Sequence, residues 1–116
     1  MRYKKKDLLI DGFKVKKLAQ RYSTPLYCYS YNKIKENIKN FKKKFGSINP
    51  LICFAVKANP NKILLREIGK LGLGADVVSM GELMMALKSG INPKKIVFSG
   101  VGKTSKEISF TIEASV

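Results

Sequence analysis

"LICFAVKANPN", residues 51–61, is an apolar run that ends on a lysine and passes through Ala-Asn-Pro to a second asparagine. Residues 51–57 read as a strand buried on both faces, since no polar residue alternates with the apolar ones. Asn59-Pro60 breaks the run, and Asn61 offers a side-chain acceptor to the start of a helix. In that helix Leu64, Leu65, Ile68 and Leu71 share one face, and Gly72 closes it. An ammonium at the end of such a strand leaves two readings of Lys57. It is a snorkelling or ion-paired side chain, or it is a functional amine. Desolvation disfavours an ammonium, and the free amine it leaves can attack an aldehyde to form a Schiff base.

The same unit recurs on either side. Upstream, "PLYCYS" (25–30) predicts a strand over about 25–29, and Ser30 caps a helix bearing Ile34, Ile38, Phe41 and Phe45 before Gly46. Downstream, "ADVV" (75–78) is a third strand. Ser79 with Glu82 forms a capping box for "MGELMMALKSG", which ends at Gly90. "IVFSG" (96–100) is a fourth strand, and Thr104 with Glu107 opens a helix that runs through "SKEISFTIEASV" to residue 116. Apolar strands alternating with helices predict consecutive βα units and a parallel sheet. Functional groups of such folds gather where the strands end, which draws Lys57, Ser79, Ser99, Gly100 and Lys103 toward one rim. Residues 1–24 stand outside the repeat and read as an arm, a strand followed by a short helix.

A chain of 116 residues suits one domain. A complete eight-fold barrel takes roughly 250 residues, so the fold class is α/β, an incomplete opening arc of about four βα units, with residues 25–116 as the partial barrel. No apolar stretch approaches the roughly 20 residues of a membrane span. "LLI" is too short for the core of a signal peptide, so a cytoplasmic location is expected. Cys28 and Cys53 lie in apolar runs without metal spacing and read as buried, reduced thiols. With no histidine, a His-assisted nucleophile or an ordinary zinc site is excluded within these residues, and no metal is assigned.

Lys and Arg total 23 against 8 Asp and Glu, a net charge of +15. The excess is uneven: residues 1–50 hold 14 basic and 3 acidic residues, whereas 51–116 hold 9 and 5. In "KIKENIKNFKKKF" (33–45) the lysines fill the positions left by an apolar stripe, which describes a solvated face rather than a phosphate-tracking surface. No RNA-binding aromatic motif or Gly-X-X-Gly clamp accompanies them, so neither nucleic acid nor membrane is an expected partner.

"PLYCYS", "CFAVKANPN" (53–61), "LGLGADVVSMGEL" (71–83) and "KIVFSGVGKTSKE" (95–107), in this order and separation, resemble the N-terminal part of the diaminopimelate decarboxylases. These belong to the fold type III, alanine-racemase-like enzymes that use pyridoxal 5'-phosphate. The leader "LLIDGFKVKKLAQRYSTPLYCYS" (8–30) is similar to the same branch, in which such an arm packs on a second, β-rich domain.

The resemblance implies a (β/α)8 TIM-type barrel with Lys57 as the catalytic, cofactor-bearing residue, joined to the coenzyme as a Schiff base. It places Asp76 close to the cofactor cavity, although a strand-end acid is also often structural. Ser99 and Gly100 would face the rim, where a loop approaching a helix explains them nearly as well. The implied activity is a carboxy-lyase reaction converting meso-diaminopimelate to L-lysine and carbon dioxide. Another amino-acid or polyamine-precursor decarboxylase of this fold is the alternative within the family. A non-catalytic basic binding module is the alternative outside it.

The family's glycine-rich phosphate cradle, pyridine-nitrogen partner and ring-stacking histidine come from later strands. Substrate-binding residues also lie there, and a homodimer partner completes the site. The chain is therefore expected to be a truncated or split form whose partners are the remaining portion of the enzyme and a small amino-acid substrate. Alone it is expected to expose sheet edges and an apolar inner face, and to be unstable and inactive.

Overall fold

The computed structural model describes all residues 1–116, which form two compact units, residues 1–47 and residues 48–116. In the first unit β1 (Arg2–Lys4), β2 (Asp7–Ile10) and β3 (Phe13–Lys14) make an antiparallel sheet in the order β1-β2-β3. Arg2 pairs with Leu9 and Ile10 with Phe13. Asp11, at φ +48°, and Gly12, at φ +89°, turn the chain between β2 and β3. Helix α1 (Val15–Tyr22) follows, and Leu9 is the one hydrophobic residue of the unit that is buried. The arm thus holds a three-stranded meander, where a single strand was expected.

Residues 26–30 pair with no strand, and Tyr27 and Cys28 are exposed, which corrects both the strand over 25–29 and the burial of Cys28. An apolar run becomes a strand only when a neighbour takes up its backbone groups, and no ladder forms here. Helix α2 (Tyr31–Lys43) starts as expected, with Ser30 Oγ accepting from Lys33 N at 3.1 Å. Ser30 also donates to Asp11 Oδ1 at 2.7 Å, and Asp11 Oδ2 accepts from Asn32 N, so the β-turn and the helix start are tied together. These two bonds, the hydroxyl first, hold the Asp11 carboxyl below its ordinary range. Every lysine of α2 is exposed, while Ile34 and Ile38 are half-buried. The solvated face expected of "KIKENIKNFKKKF" is present.

The second unit carries the parallel sheet, in the order β4 (Cys53–Ala55), β5 (Gly74–Val77), β6 (Ile96–Phe98). Its registers align Phe54 with Ala75 and Ile96, and Ala55 with Asp76 and Val97. Period-two alternation puts these rows on opposite faces. Val56, Ala75, Val77 and Ile96 form one buried cluster with Leu65 of α3 (Lys62–Lys70) and Leu83 and Ala86 of α4 (Met80–Lys88). Phe54 and Phe98 pack against that cluster, so this face is the helix side.

Local signals set the boundaries. Asn61 Oδ1 accepts from Ile63 N and Leu64 N, Ser79 Oγ accepts from Glu82 N, and Gly72 and Gly90 end their helices at φ +83° and +82°. Gly74 is required for a different reason. A Cβ there would lie 1.9 Å from the Lys95 carbonyl oxygen and 3.0 Å from Cys53 Sγ. Helix α5 (Ser105–Glu113) ends short of residue 116, correcting the helix expected to run through it. Ser115 at φ +59° turns the chain so that Val116 N reaches the Thr111 carbonyl. No helix is long and apolar enough to cross a membrane.

Candidate active site

Strand β4 is shorter than the apolar run that encodes it. Val56–Ala58 wind into a single 3-10 turn, closed by Asn59 N donating to the Val56 carbonyl at 3.0 Å. Val56 is fully buried on the helix side, and Lys57 follows it immediately. The turn holds Lys57 just past the C-terminal end of β4, and β5 lies against it. Lys57 is exposed, and its ammonium makes no hydrogen bond or ion pair. The sequence led us to expect a lysine withdrawn from water. The difference lies in the sheet face opposite the helices, which nothing in this unit covers.

Asp76 and Ser99 lie on that open face at the same end of the sheet. Ser99 Oγ donates to Asp76 Oδ1 at 2.5 Å, across 23 residues of sequence, and Ser99 N continues the ladder to the Val77 carbonyl at 2.9 Å. Asp76 is half-buried and has no ionic partner. Cys53 lies one strand away, and its Sγ is 3.7 Å from the Lys95 carbonyl, to which it donates. Partial burial, then the Asp76 carboxylate, push the Cys53 thiol above its ordinary range and keep it protonated. It is a poor nucleophile, and sequence reasoning did not connect it with Asp76.

Gly100 is set by a close approach of two loops. A Cβ there would fall 2.4 Å from the Val78 carbonyl oxygen, so only glycine lets the loop after β6 lie against the end of β5. Lys103 Nζ donates to the Gly100 carbonyl and sits 5.0 Å from the centroid of the Phe98 ring, which fastens the loop from its far side.

Two glutamates tie the rim together. Glu82 Oε2 accepts from Val78 N at 2.9 Å, one residue beyond the reciprocal bond expected of a capping box. Glu107 makes the full box with Thr104, and its other oxygen accepts from Met80 N at 3.4 Å. It therefore bridges the starts of α4 and α5. Bonds from Thr104, backbone before hydroxyl, and then from Met80 hold the Glu107 carboxyl below its ordinary range. The box was legible in Thr104-x-x-Glu107, but the reach to Met80 was not.

The donor set can be matched to a pyridoxal coenzyme. An amine without a partner, at the end of a parallel strand, suits the aldehyde of that coenzyme. The first turns of α3, α4 and α5 already carry side-chain acceptors from Asn61, Ser79, Thr104 and Glu107. Part of the N–H donor set at each of these helix starts is therefore already taken, which leaves fewer donors for a phosphate group. The residues present fit the aldehyde end of the coenzyme.

Comparison with known proteins gives the same assignment. The family model described as "Pyridoxal-dependent decarboxylase, pyridoxal binding domain" matches residues 31–116. A diaminopimelate decarboxylase from Aquifex aeolicus is 47% identical over 116 residues, the whole of this chain and 27% of that protein. A crystal structure from the same organism superposes with a TM-score of 0.91 at 48% identity, covering 99% of this chain and 28% of that one. The Helicobacter pylori diaminopimelate decarboxylase, solved in complex with L-lysine, gives 0.83 at 44% identity over 89% of this chain and 26% of its own. The chain thus spans little more than a quarter of the relatives it matches, and its three-stranded parallel sheet is part of their barrel. The cofactor of the group is pyridoxal phosphate, and the chain belongs to the pyridoxal-dependent decarboxylase family, with residues 31–116 in its pyridoxal binding domain.

Proposed function

We propose that this chain is the lysine-bearing part of a diaminopimelate decarboxylase, which converts meso-diaminopimelate to L-lysine and carbon dioxide. The observation that carries the reading is the unpartnered Lys57 amine just past β4, within a chain 47% identical along its whole length to a diaminopimelate decarboxylase. Lys57 would hold the coenzyme through Nζ and, when not bonded to it, carry a proton at that atom. Asp76, Ser99 and Gly100 would line the cofactor side of the rim. Bound pyridoxal phosphate supplies a ring that takes up the electron pair left when a carboxylate departs.

Activity would need the segments corresponding to the remainder of the relatives, supplied by more chain or by a partner copy. The N-terminal arm, residues 1–24, would pack on a second β-domain, for which its antiparallel meander is a suitable surface. A cytoplasmic location goes with this reading.

A chimera tests it. Residues 1–116 replace the matching quarter of the Aquifex aeolicus enzyme, and lysine formation from meso-diaminopimelate is measured beside ornithine and arginine turnover. Lysine formation that disappears in Lys57→Ala is the expected result. A chimera that folds, binds pyridoxal phosphate elsewhere and keeps its activity in Lys57→Ala would reject the assignment. Preference for ornithine or arginine would move it to another branch of the family.

A further inference from the structure

The Asp76 carboxylate is held by a single short hydrogen bond from Ser99 Oγ and has no cation beside it, in a chain carrying a net charge of +15. A neutral donor orients a carboxylate but leaves its charge available to another group. The registers point to which group that is. Asp76 pairs with Ala55, two residues before Lys57, and β5 lies against the turn that contains Lys57. Neighbouring strands are about 4.8 Å apart, a gap that a lysine side chain spans. The bond from Ser99 commits its hydroxyl to Asp76, from just past the end of β6 on the opposite side of β5.

We propose that Ser99 is a positioning residue that acts through Asp76. Its hydroxyl fixes the Asp76 carboxylate at the rim, and the carboxylate steadies the Lys57 nitrogen for reaction with the coenzyme's aldehyde. In that reaction the Nζ lone pair forms the bond to the aldehyde carbon. The carbonyl oxygen leaves as water with the two protons given up by nitrogen, so no oxidant or reductant is consumed. The role rests on the reading of Lys57 given above and works through the carboxylate of Asp76.

The experiment uses the chimera described above with pyridoxal phosphate, borohydride trapping and peptide mapping. Label on Lys57 is divided by the mean label on Lys35 and Lys39 of α2, exposed amines with no ion pair. Loss of one oriented hydrogen bond is expected to lower this ratio roughly threefold or more in Ser99→Ala. Ser99→Thr keeps the hydroxyl and should keep the ratio. Asp76→Asn should lower it as far as Ser99→Ala does, and the double variant should fall no further. Ser99→Cys, nearly isosteric with a weaker donor, should behave as Ser99→Ala does and covers the case in which alanine disturbs the loop.

An unchanged ratio in both Ser99→Ala and Ser99→Cys overturns the proposal, as does an additive loss in the double variant. A parent ratio near one rejects the Lys57 reading itself, and the role of Ser99 with it. The two failures are therefore told apart by the unsubstituted chimera.

Discussion

The two faces of the β4-β5-β6 sheet are built from the same short strands and serve opposite ends. On the helix side Val56, Ala75 and Val77 are wholly buried, and they share a cluster with Leu65, Leu83 and Ala86. On the other side Ala55 and Asp76 are half-buried, Val97 is 46% exposed, and Ser99 is exposed. Packing therefore sits on one face and the proposed chemistry on the other. A residue can be judged by its parity in the strand before its chemical type is considered.

Substitutions should separate the faces by size of effect. Leu83→Ala removes a fully buried side chain from the cluster and should cost about 2–5 kcal/mol, read as a fall in the urea midpoint of residues 48–116. A loss below 1 kcal/mol (roughly the cost of an exposed change) would break the comparison. Thr104→Ala, at the rim between the faces, removes the reciprocal cap of α5 and should cost about 1 kcal/mol in the same measurement.

The rim should also respond to acid. Glu107 is held below its ordinary range by its bonds to Thr104 and Met80. A carboxyl lowered in the folded state stabilises it above the unfolded value, and that contribution is lost as pH falls through the folded value. The thermal midpoint of the parent should therefore decline more steeply than that of Glu107→Gln between about pH 5 and about pH 3. Parallel curves would show that the charge on Glu107, bonded to Thr104 and Met80, contributes nothing. The smallest effect belongs to the open face, where Val97→Thr should shift stability by less than about 0.5 kcal/mol. A larger loss would mean that this face is covered in solution.

What the sequence disclosed follows the range of each interaction. The caps at Ser30, Asn61, Ser79 and Thr104 are set within three or four residues, and each was readable from spacing. The apolar runs of β5 and β6 were equally clear, since each finds its partner inside the same unit. Residues 25–29 were misread because their composition suits a strand and composition does not supply a neighbour. Lys57 stands out in the sequence as the odd residue closing an apolar run, although its exposure depends on what covers the open face. The Asp76–Ser99 bond, the effect of Asp76 on Cys53 and the reach of Glu107 to Met80 join residues 23 to 27 apart and left no local trace.

The most direct measurement is the peptide map of the borohydride-reduced chimera, residues 1–116 joined to the remainder of the Aquifex aeolicus enzyme, after incubation with one equivalent of pyridoxal phosphate. The account requires the coenzyme's mass on the peptide containing Lys57 well above its level on any lysine of α2, and its disappearance from that region in Lys57→Ala. Label shared evenly among the exposed lysines, with the same total in Lys57→Ala, would contradict it.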